Sequence, residues 1–364
     1  MEQNIDKSGA LWLPNKKRPL VISGPCSAET KEQVLETSRR LFETGKVDVL
    51  RAGVWKPRTR PGSFEGVGPK ALPWLTEVKE MTGLPVAVEV ANAYHVELCL
   101  EFGIDILWIG ARTSVNPFAV QEIADALRGT DIPVLMKNPI NADLALWQGG
   151  IERLIKSGLK RVGSIHRGFS NLGEKHYRNR PQWQLAIAFK NEMPEIPLIC
   201  DPSHICGRRD ILTDVAQKSM DLGFDGLMIE SHIDPDNAWS DASQQITPEQ
   251  VKELLSELVL RDDKEDDKAT QSKLDLLRQQ INHIDDEILN LLSNRMNVVR
   301  EIGAYKRDND ITILQQKRWN KIINKGKHYA SLHGLNEEFI IKYLQNIHDE
   351  SINQQEVVMK EKKK

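Results

Sequence analysis

The sequence predicts an α/β chain, a (β/α)₈ (TIM) barrel followed by a small all-α domain of three helices that is dimeric. Three observations predict it. Eight short, nearly continuous apolar runs recur over roughly 240 residues, each trailed by a stretch long enough for a helix, as parallel strands covered on both faces require. All 17 prolines fall at or before Pro248 and 20 of the 23 glycines by Gly226, so the two parts of the chain obey different rules. From Leu274 onward the apolar residues keep a 3,4 spacing instead.

Taken in order, the strand-like runs are Leu20–Cys26, Val49–Val54, Pro85–Val90, Ile106–Ala111, Pro133–Pro139, Arg161–Arg167, Pro197–Ser203 and Gly226–His232. An open doubly wound sheet is the competing topology, but no Gly-x-Gly-x-x-Gly follows a strand to support it. Arg261-Asp-Asp-Lys-Glu-Asp-Asp-Lys268 is almost wholly charged and reads as a solvated connector. This places the barrel at 1–261, the linker at 262–271 and the helical domain at 272–364. There Leu274, Leu277, Ile281, Ile284, Ile288, Leu291, Val298, Ile302 and Tyr305 mark one helix of about thirty residues, some 45 Å long. Thr312–Tyr329 and Glu337–Val358 supply two further helices, and so thin a unit is expected to bury its long seam against a second copy.

Composition narrows the function. In 364 residues, 40% are hydrophobic and 28% charged, and Lys+Arg 49 against Asp+Glu 52 gives a formal net charge of -3, so a general nucleic-acid binder is not expected. No apolar run is long enough to span a membrane, and the first residues lack the pattern of a signal peptide, so a cytoplasmic protein is expected. Cys26, Cys99, Cys200 and Cys206 are too few for a disulfide framework. Cys26 lies in an unusual Gly-Pro-Cys-Ser run, whereas the other three read as structural.

In such barrels chemistry sits where strands end, and here those ends are polar. Cys26, His204, Glu230 and Asp241 form one constellation of metal-ligand types. A mixed S/N/O set suits Mn²⁺, Fe²⁺ or Co²⁺ as well as Zn²⁺, so the ligand set by itself leaves the ion open. Arg51, Lys56, Arg58, Arg112, Lys137 and Arg167 form a second, cationic one. Six like charges on one rim are tolerable when the usual occupant is anionic. Glu89 and Asp201 close strands three and seven, either placing water and substrate hydroxyls or pairing with neighbouring cations.

At these residues the sequence resembles a known family. Gly24-Pro-Cys-Ser27, Arg51-Ala-Gly with Lys56-Pro-Arg-Thr59, Ile109-Gly-Ala-Arg112, Lys137-Asn, Ile165-His-Arg-Gly168, Asp201-Pro-Ser-His204, Ile229-Glu-Ser and Ser240-Asp together look like 3-deoxy-D-arabino-heptulosonate 7-phosphate (DAHP) synthase of the shorter-chain type Iβ branch. The related 3-deoxy-manno-octulosonate 8-phosphate synthases typically carry Lys-Ala-Asn-Arg-Ser at the aldehyde end, where this chain has Lys56-Pro-Arg-Thr59. The resemblance implies condensation of phosphoenolpyruvate with erythrose 4-phosphate and release of phosphate. It assigns Arg51 and Lys56 to the phosphoenolpyruvate carboxylate, and Arg112, Lys137 and Arg167 to its phosphate. Arg58 and Thr59 go to the phosphate of erythrose 4-phosphate, with Asp201 placed by its location at that substrate's hydroxyls; Cys26, His204, Glu230 and Asp241 go to the divalent metal, and Lys56 is the candidate proton donor.

In the helical part Arg295 takes a seam position that the 3,4 spacing reserves for an apolar residue, and a buried cation needs a partner. Arg295 and Lys306 lie about 20° apart around one helix and roughly 16 Å apart along it, so their long side chains can close on one small ligand. Alternatively, Arg295 snorkels to a neighbouring carboxylate. Arg278 is about 25 Å from Arg295 and on another face, so only an antiparallel partner helix brings it to the same ligand. This region resembles the all-helical class of chorismate mutase, a dimer that shares an arginine between protomers. The resemblance implies that Arg278, Arg295, Lys306, Gln315, Arg318, Ser351 and Gln355 bind chorismate, with Lys306 and Gln355 catalytic at the ether oxygen. Where that class has Asp and then Glu around the second-helix arginine, this chain has Gln315 and Trp319.

The expected function is therefore bifunctional: a metal-dependent synthase and a mutase that makes prephenate. Prephenate or chorismate at the tail is expected to inhibit the barrel, since the lead of about nineteen residues before strand one leaves no room for a separate regulatory domain. The competing readings are a non-catalytic dimerising or sensing tail, an octulosonate-type barrel, and a Schiff-base aldolase using Lys56 or Lys137.

Overall fold

The computed structural model describes residues 19–57, 62, 64–171, 173, 176–261 and 268–360, leaving aside the side chains of 268–272 and 316. Two compact units emerge, Met1–Arg261 and Asp262–Lys364. In the first, eight strands alternate with helices. The strands are β1 (Leu20–Gly24), β2 (Val49–Ala52), β3 (Val86–Val90), β4 (Ile106–Ile109), β5 (Val134–Lys137), β6 (Val162–His166), β7 (Leu198–Cys200) and β8 (Gly226–Glu230). Each pairs in parallel with the next, and β8 closes on β1 through Leu20↔Gly226 to Gly24↔Glu230.

The helices are α1 (Lys31–Glu43), α2 (Leu72–Thr82), α3 (Ala93–Glu101), α4 (Pro117–Ala126), α5 (Leu144–Lys156), α6 (Trp183–Glu192), α7 (Pro202–Cys206), α8 (Leu212–Asp221) and α9 (Pro248–Glu257). Their starts follow from local chemistry. Thr30, Asn92, Asn116, Asp143 and Asp201 each accept a backbone N–H of the first turn, and Thr247 with Gln250 closes a capping box ahead of α9. The one-turn α7 is an addition to the eight-unit plan, and it carries His204.

Hydrogen-bonded strands are shorter than the apolar runs, for a reason visible at β1. Gly24 has φ +152°, and a Cβ there would fall 2.0 Å from the carbonyl oxygen of Arg51, so only glycine lets the chain leave the sheet against β2. Of the polar residues that end the runs, Arg51, Glu89, Lys137 and Glu230 are in the last residues of the strands themselves, whereas Cys26, Arg112, Arg167 and Asp201 stand just past the sheet.

Inside the barrel, Leu20, Ile22, Val49, Ala87, Ile106, Trp108, Leu135, Ile165, Ile199 and Met228 fill the centre. A larger apolar layer separates strands from helices, and in it Trp147 stacks on Phe189 at 4.3 Å and donates its indole N–H to Ser164 Oγ at 2.7 Å.

The second unit is three helices, α10 (Lys268–Asp308), α11 (Gln316–His333) and α12 (Glu337–Lys360). Its close approaches occur at glycines: a Cβ on Gly303 would meet Gln355 at 3.2 Å, and one on Gly326 would meet Leu344 at 2.4 Å. The predicted seam of α10 faces outward, with Leu274, Leu277, Ile281, Ile284, Ile288 and Leu291 each 40–67% exposed. No helix among the described residues is long and apolar enough to cross a membrane.

Candidate active sites

The C-terminal ends of the strands surround a cavity of about 300 Å³. On one side, Cys26, Glu230 and Asp241 offer ligand atoms all within 4.8 Å of one another. His204 stands at the edge of this trio, its Nε2 3.7 Å from Glu230 Oε1. Its other ring nitrogen, Nδ1, lies 2.8 Å from Asp201 Oδ2 without hydrogen-bond geometry. Burial, with Lys137 helping against Asp201 and Glu230, holds the imidazole pKa below its usual value. Gln244 donates to Glu230 Oε2 at 2.6 Å, whereas the fully buried Oε1 receives no hydrogen bond among the described residues. An orphaned carboxylate oxygen beside a thiol, an imidazole and a second carboxylate fits a divalent cation.

The charges around the trio agree with that fit. Burial pushes the Cys26 thiol up to about 12, with Glu230 and Asp241 adding to the effect against Lys56 and Arg51. A nearby cation is what reverses such a shift. Lys56 opposes the shift without reversing it, its Nζ 2.9 Å from Cys26 Sγ and 3.0 Å from the Cys26 carbonyl. Burial alone would raise the Asp241 carboxyl, but Arg178, His204 and Lys56 outweigh it and hold Asp241 well below the carboxylate range.

The cationic set lies on the same mouth. Lys56, Arg112, Lys137 and Arg167 line the cavity. Arg51 is buried at the end of β2, with Nη2 3.3 Å from the Cys26 carbonyl and 3.4 Å from Glu230, while its Nε and Nη1 find no hydrogen-bond acceptor among the described residues. Arg167 Nη1 is likewise unpaired. Its pKa falls to about 10, chiefly through burial and then through Arg178 and Arg112, against Asp201 and Asp241. Buried donors without acceptors are costly unless a ligand completes them, so the cavity is built for an anion. Arg58 and Thr59 lie outside the described residues.

Asp201 is fully buried, and both its oxygens are taken by protein: Oδ2 meets Lys137 Nζ at 2.8 Å and His204 Nδ1, and Oδ1 accepts the His204 N–H at 3.0 Å. That geometry favours the ion-pair alternative over a direct grip on sugar. Glu89, by contrast, faces the cavity, with Oε2 accepting the Trp108 indole N–H at 2.9 Å.

Several residues here escaped the sequence reading. Asn138 accepts the Arg167 N–H at 2.7 Å and donates to the Gly168 carbonyl at 2.8 Å, and Asn179 donates to the His204 carbonyl at 2.7 Å. Arg178 pairs with Asp241 at 3.1 Å, and Gln245 accepts the Cys26 N–H at 2.9 Å. Only Asn138, which directly follows the singled-out Lys137, carried a local signal.

The helical unit brings four of its seven predicted residues together. Arg295 Nη1 donates to Ser351 Oγ at 2.6 Å, and Lys306 Nζ donates to Gln355 Oε1 at 3.0 Å and to the Ile313 carbonyl. The alternative of an Arg295 snorkelling to a carboxylate is not what is found. Burial lowers the pKa of both cations, Arg295 and Lys306. Arg318 and Gln315 are exposed on and beside α11, and Arg278 is exposed near the far end of α10, 3.3 Å from Asp275. Trp319 stacks on His348 at 4.2 Å.

A parallel barrel whose mouth joins ligand-type side chains to unpaired buried arginines defines a class of enzyme that acts on small anions beside a cation. The chain belongs to the DAHP synthetase I family, whose model matches residues 5–266; the chorismate mutase type II model matches residues 277–356. It is 34% identical over 238 residues to the phospho-2-dehydro-3-deoxyheptonate aldolase of Thermotoga maritima, covering 65% of this chain and 68% of that one. It is 27% identical to the 2-dehydro-3-deoxyphosphooctonate aldolase of Syntrophotalea carbinolica over 264 residues, 66% of this chain and 90% of the relative. The crystal structure of the Thermotoga maritima DAHP synthase matches with a TM-score of 0.59 at 32% identity, over 66% of this chain and 68% of that one. A truncated form of a DAHP synthase from the same organism matches with a TM-score of 0.56 at 29% identity, over 66% and 84%. The protein is thus a bifunctional shikimate-pathway enzyme with DAHP synthase and chorismate mutase activities, acting on small molecules, and its synthase family is metal-dependent.

Proposed function

We propose that phosphoenolpyruvate lies in the barrel mouth, its carboxylate on Arg51 and Lys56 and its phosphate on Arg112, Lys137 and Arg167. The observation that carries this reading is the set of unpaired buried N–H donors on Arg51 and Arg167. Erythrose 4-phosphate enters beside it toward Arg58 and Thr59. Cys26, His204, Glu230 and Asp241 hold the divalent ion, with Mn²⁺ preferred and Fe²⁺, Co²⁺ or Zn²⁺ the alternatives for a set with one soft and two hard ligand types. When bound, that ion contributes Lewis acidity toward the aldehyde oxygen.

The chain's own groups do the rest. The arginines fix the enol ether so that its C3 faces the aldehyde carbon, forming the new carbon–carbon bond. Lys56, already hydrogen-bonded at the Cys26 thiol, delivers a proton to the new alkoxide. Glu89, which faces the cavity, orients the water that adds to C2, after which the C2–O bond to phosphate breaks.

For the tail we propose catalysis rather than sensing alone. Arg295, with Ser351, takes a chorismate carboxylate, while Lys306 and Gln355 donate to the ether oxygen as charge builds there. Gln315 and Arg318 complete the site from α11, and Arg278 reaches it from a second copy. The exposed apolar face of α10 supports that homodimer. Prephenate, the product, binds the same tail and slows the barrel.

The test is phosphoenolpyruvate consumption by Mn²⁺-loaded protein with erythrose 4-phosphate or arabinose 5-phosphate, with and without EDTA. Loss with the four-carbon sugar alone, abolished by chelator, is expected. Loss with the five-carbon sugar overturns the choice of aldehyde, and insensitivity to EDTA overturns the metal set. Saturating prephenate is expected to lower the rate, and an unchanged rate removes the regulatory part.

A further inference from the structure

Three groups of the mouth converge on one residue that none of the motifs contains. Trp108, on β4, is fully buried in the centre of the barrel. The Arg51 guanidinium lies over its ring at 4.8 Å from the centroid, and the Lys137 ammonium at 6.0 Å. Its indole N–H donates to Glu89 Oε2 at 2.9 Å. On its other side the Glu89 carboxylate crosses Gly110, where a Cβ would sit 2.1 Å from Oε1.

We propose that Trp108 is a positioning residue for the condensation, with two separable tasks; the proposal rests on the phosphoenolpyruvate site argued above. Its π face is the floor for Arg51. Arg51 leaves two N–H-bearing nitrogens without an acceptor among the described residues, and a ring against the guanidinium holds it without taking up either donor. An aliphatic side chain would fill the space and fix nothing. Its N–H is the anchor for Glu89. Glu89 and Lys56 line the same cation-rich cavity, and the indole donor holds the carboxylate against Trp108 rather than leaving it free to turn onto a neighbouring cation.

The two tasks predict different kinetic signatures. Trp108→Phe keeps the π face and most of the volume but removes the N–H, so KM for phosphoenolpyruvate stays within about twofold while kcat falls about tenfold. Trp108→Leu removes both, and raises the dissociation constant for phosphoenolpyruvate, read by titration calorimetry without turnover, about tenfold as well. In a double-mutant cycle, Trp108→Phe adds nothing to the kcat loss of Glu89→Ala, because the indole N–H acts on turnover through that carboxylate. Additive losses in that cycle, or wild-type phosphoenolpyruvate binding in the Leu variant, overturn the proposal. Wild-type protein that binds no phosphoenolpyruvate overturns the site itself, so the two failures are told apart.

Discussion

At the scale of single residues, the mouth is shaped by atoms that are absent as much as by charges that are present. Gly110 is the sharpest case, since a single methyl there would collide with the Glu89 carboxylate that Trp108 holds in place. Gly110→Ala is expected to leave thermal stability nearly unchanged while lowering kcat for phosphoenolpyruvate consumption by about tenfold to a hundredfold, the usual result of shifting a catalytic group by an ångström. The residues that end the strands were legible in the sequence because a charge or a thiol closing an apolar run stands out. Trp108 was not legible, because a tryptophan inside such a run reads as core. Arg178, Asn179, Gln244 and Gln245 were missed for a different reason: they sit in loops without periodicity, and only folding brings them against Asp241, His204, Glu230 and Cys26.

At the scale of elements, strand positions and the three tail helices follow the hydrophobic pattern closely, since burial on both faces of a parallel sheet, or on one stripe of a helix, leaves a periodic trace. The one-turn α7 left no such trace, being set by Pro202 and the Asp201 cap rather than by periodicity. The outward face of α10 yields a direct expectation. Ile284 is 52% exposed in the single chain, so Ile284→Glu costs that chain little, yet it buries an unpaired charge in any seam-to-seam dimer. Sedimentation is expected to show dissociation at micromolar concentration, with chorismate conversion lost through the missing partner Arg278. An unaltered dimer would place the interface elsewhere.

β6 makes a prediction about acid. His166 is fully buried against Trp147, Phe169, Trp183 and Phe224, and burial depresses its pKa to about 3. The unfolded chain, with a pKa near 6.5, binds the proton first, so stability from this residue is complete above about pH 6.5 and drains as pH falls toward 3, by roughly 1.4 kcal/mol per unit. Denaturant titrations between pH 7 and 5 are expected to show that slope in the wild type and a flatter one in His166→Phe.

At the scale of the whole molecule, two chemistries with opposite demands share one chain. The barrel site collects ligand-type side chains, whereas the residues brought together in the helical unit, Arg295, Ser351, Lys306 and Gln355, form a hydrogen-bonded set with no carboxylate or thiol in it. EDTA is therefore expected to abolish phosphoenolpyruvate consumption and leave the conversion of chorismate to prephenate at its full rate, followed in the same sample. A parallel loss of both would mean that the tail depends on the loaded barrel.

The buried carboxylate of Asp201 has a thermodynamic corollary. It sits between Lys137, proposed to hold the anion, and His204, proposed to hold the cation, and it is the only charge either has at 2.8 Å among the described residues. In that proposed site, whatever an arriving phosphate takes from Lys137 changes how strongly Asp201 holds the imidazole, so the two occupancies are expected to be linked. The factor by which the ion tightens or loosens phosphoenolpyruvate must equal the factor by which phosphoenolpyruvate tightens or loosens the ion, and the order in which they are added cannot alter the sum.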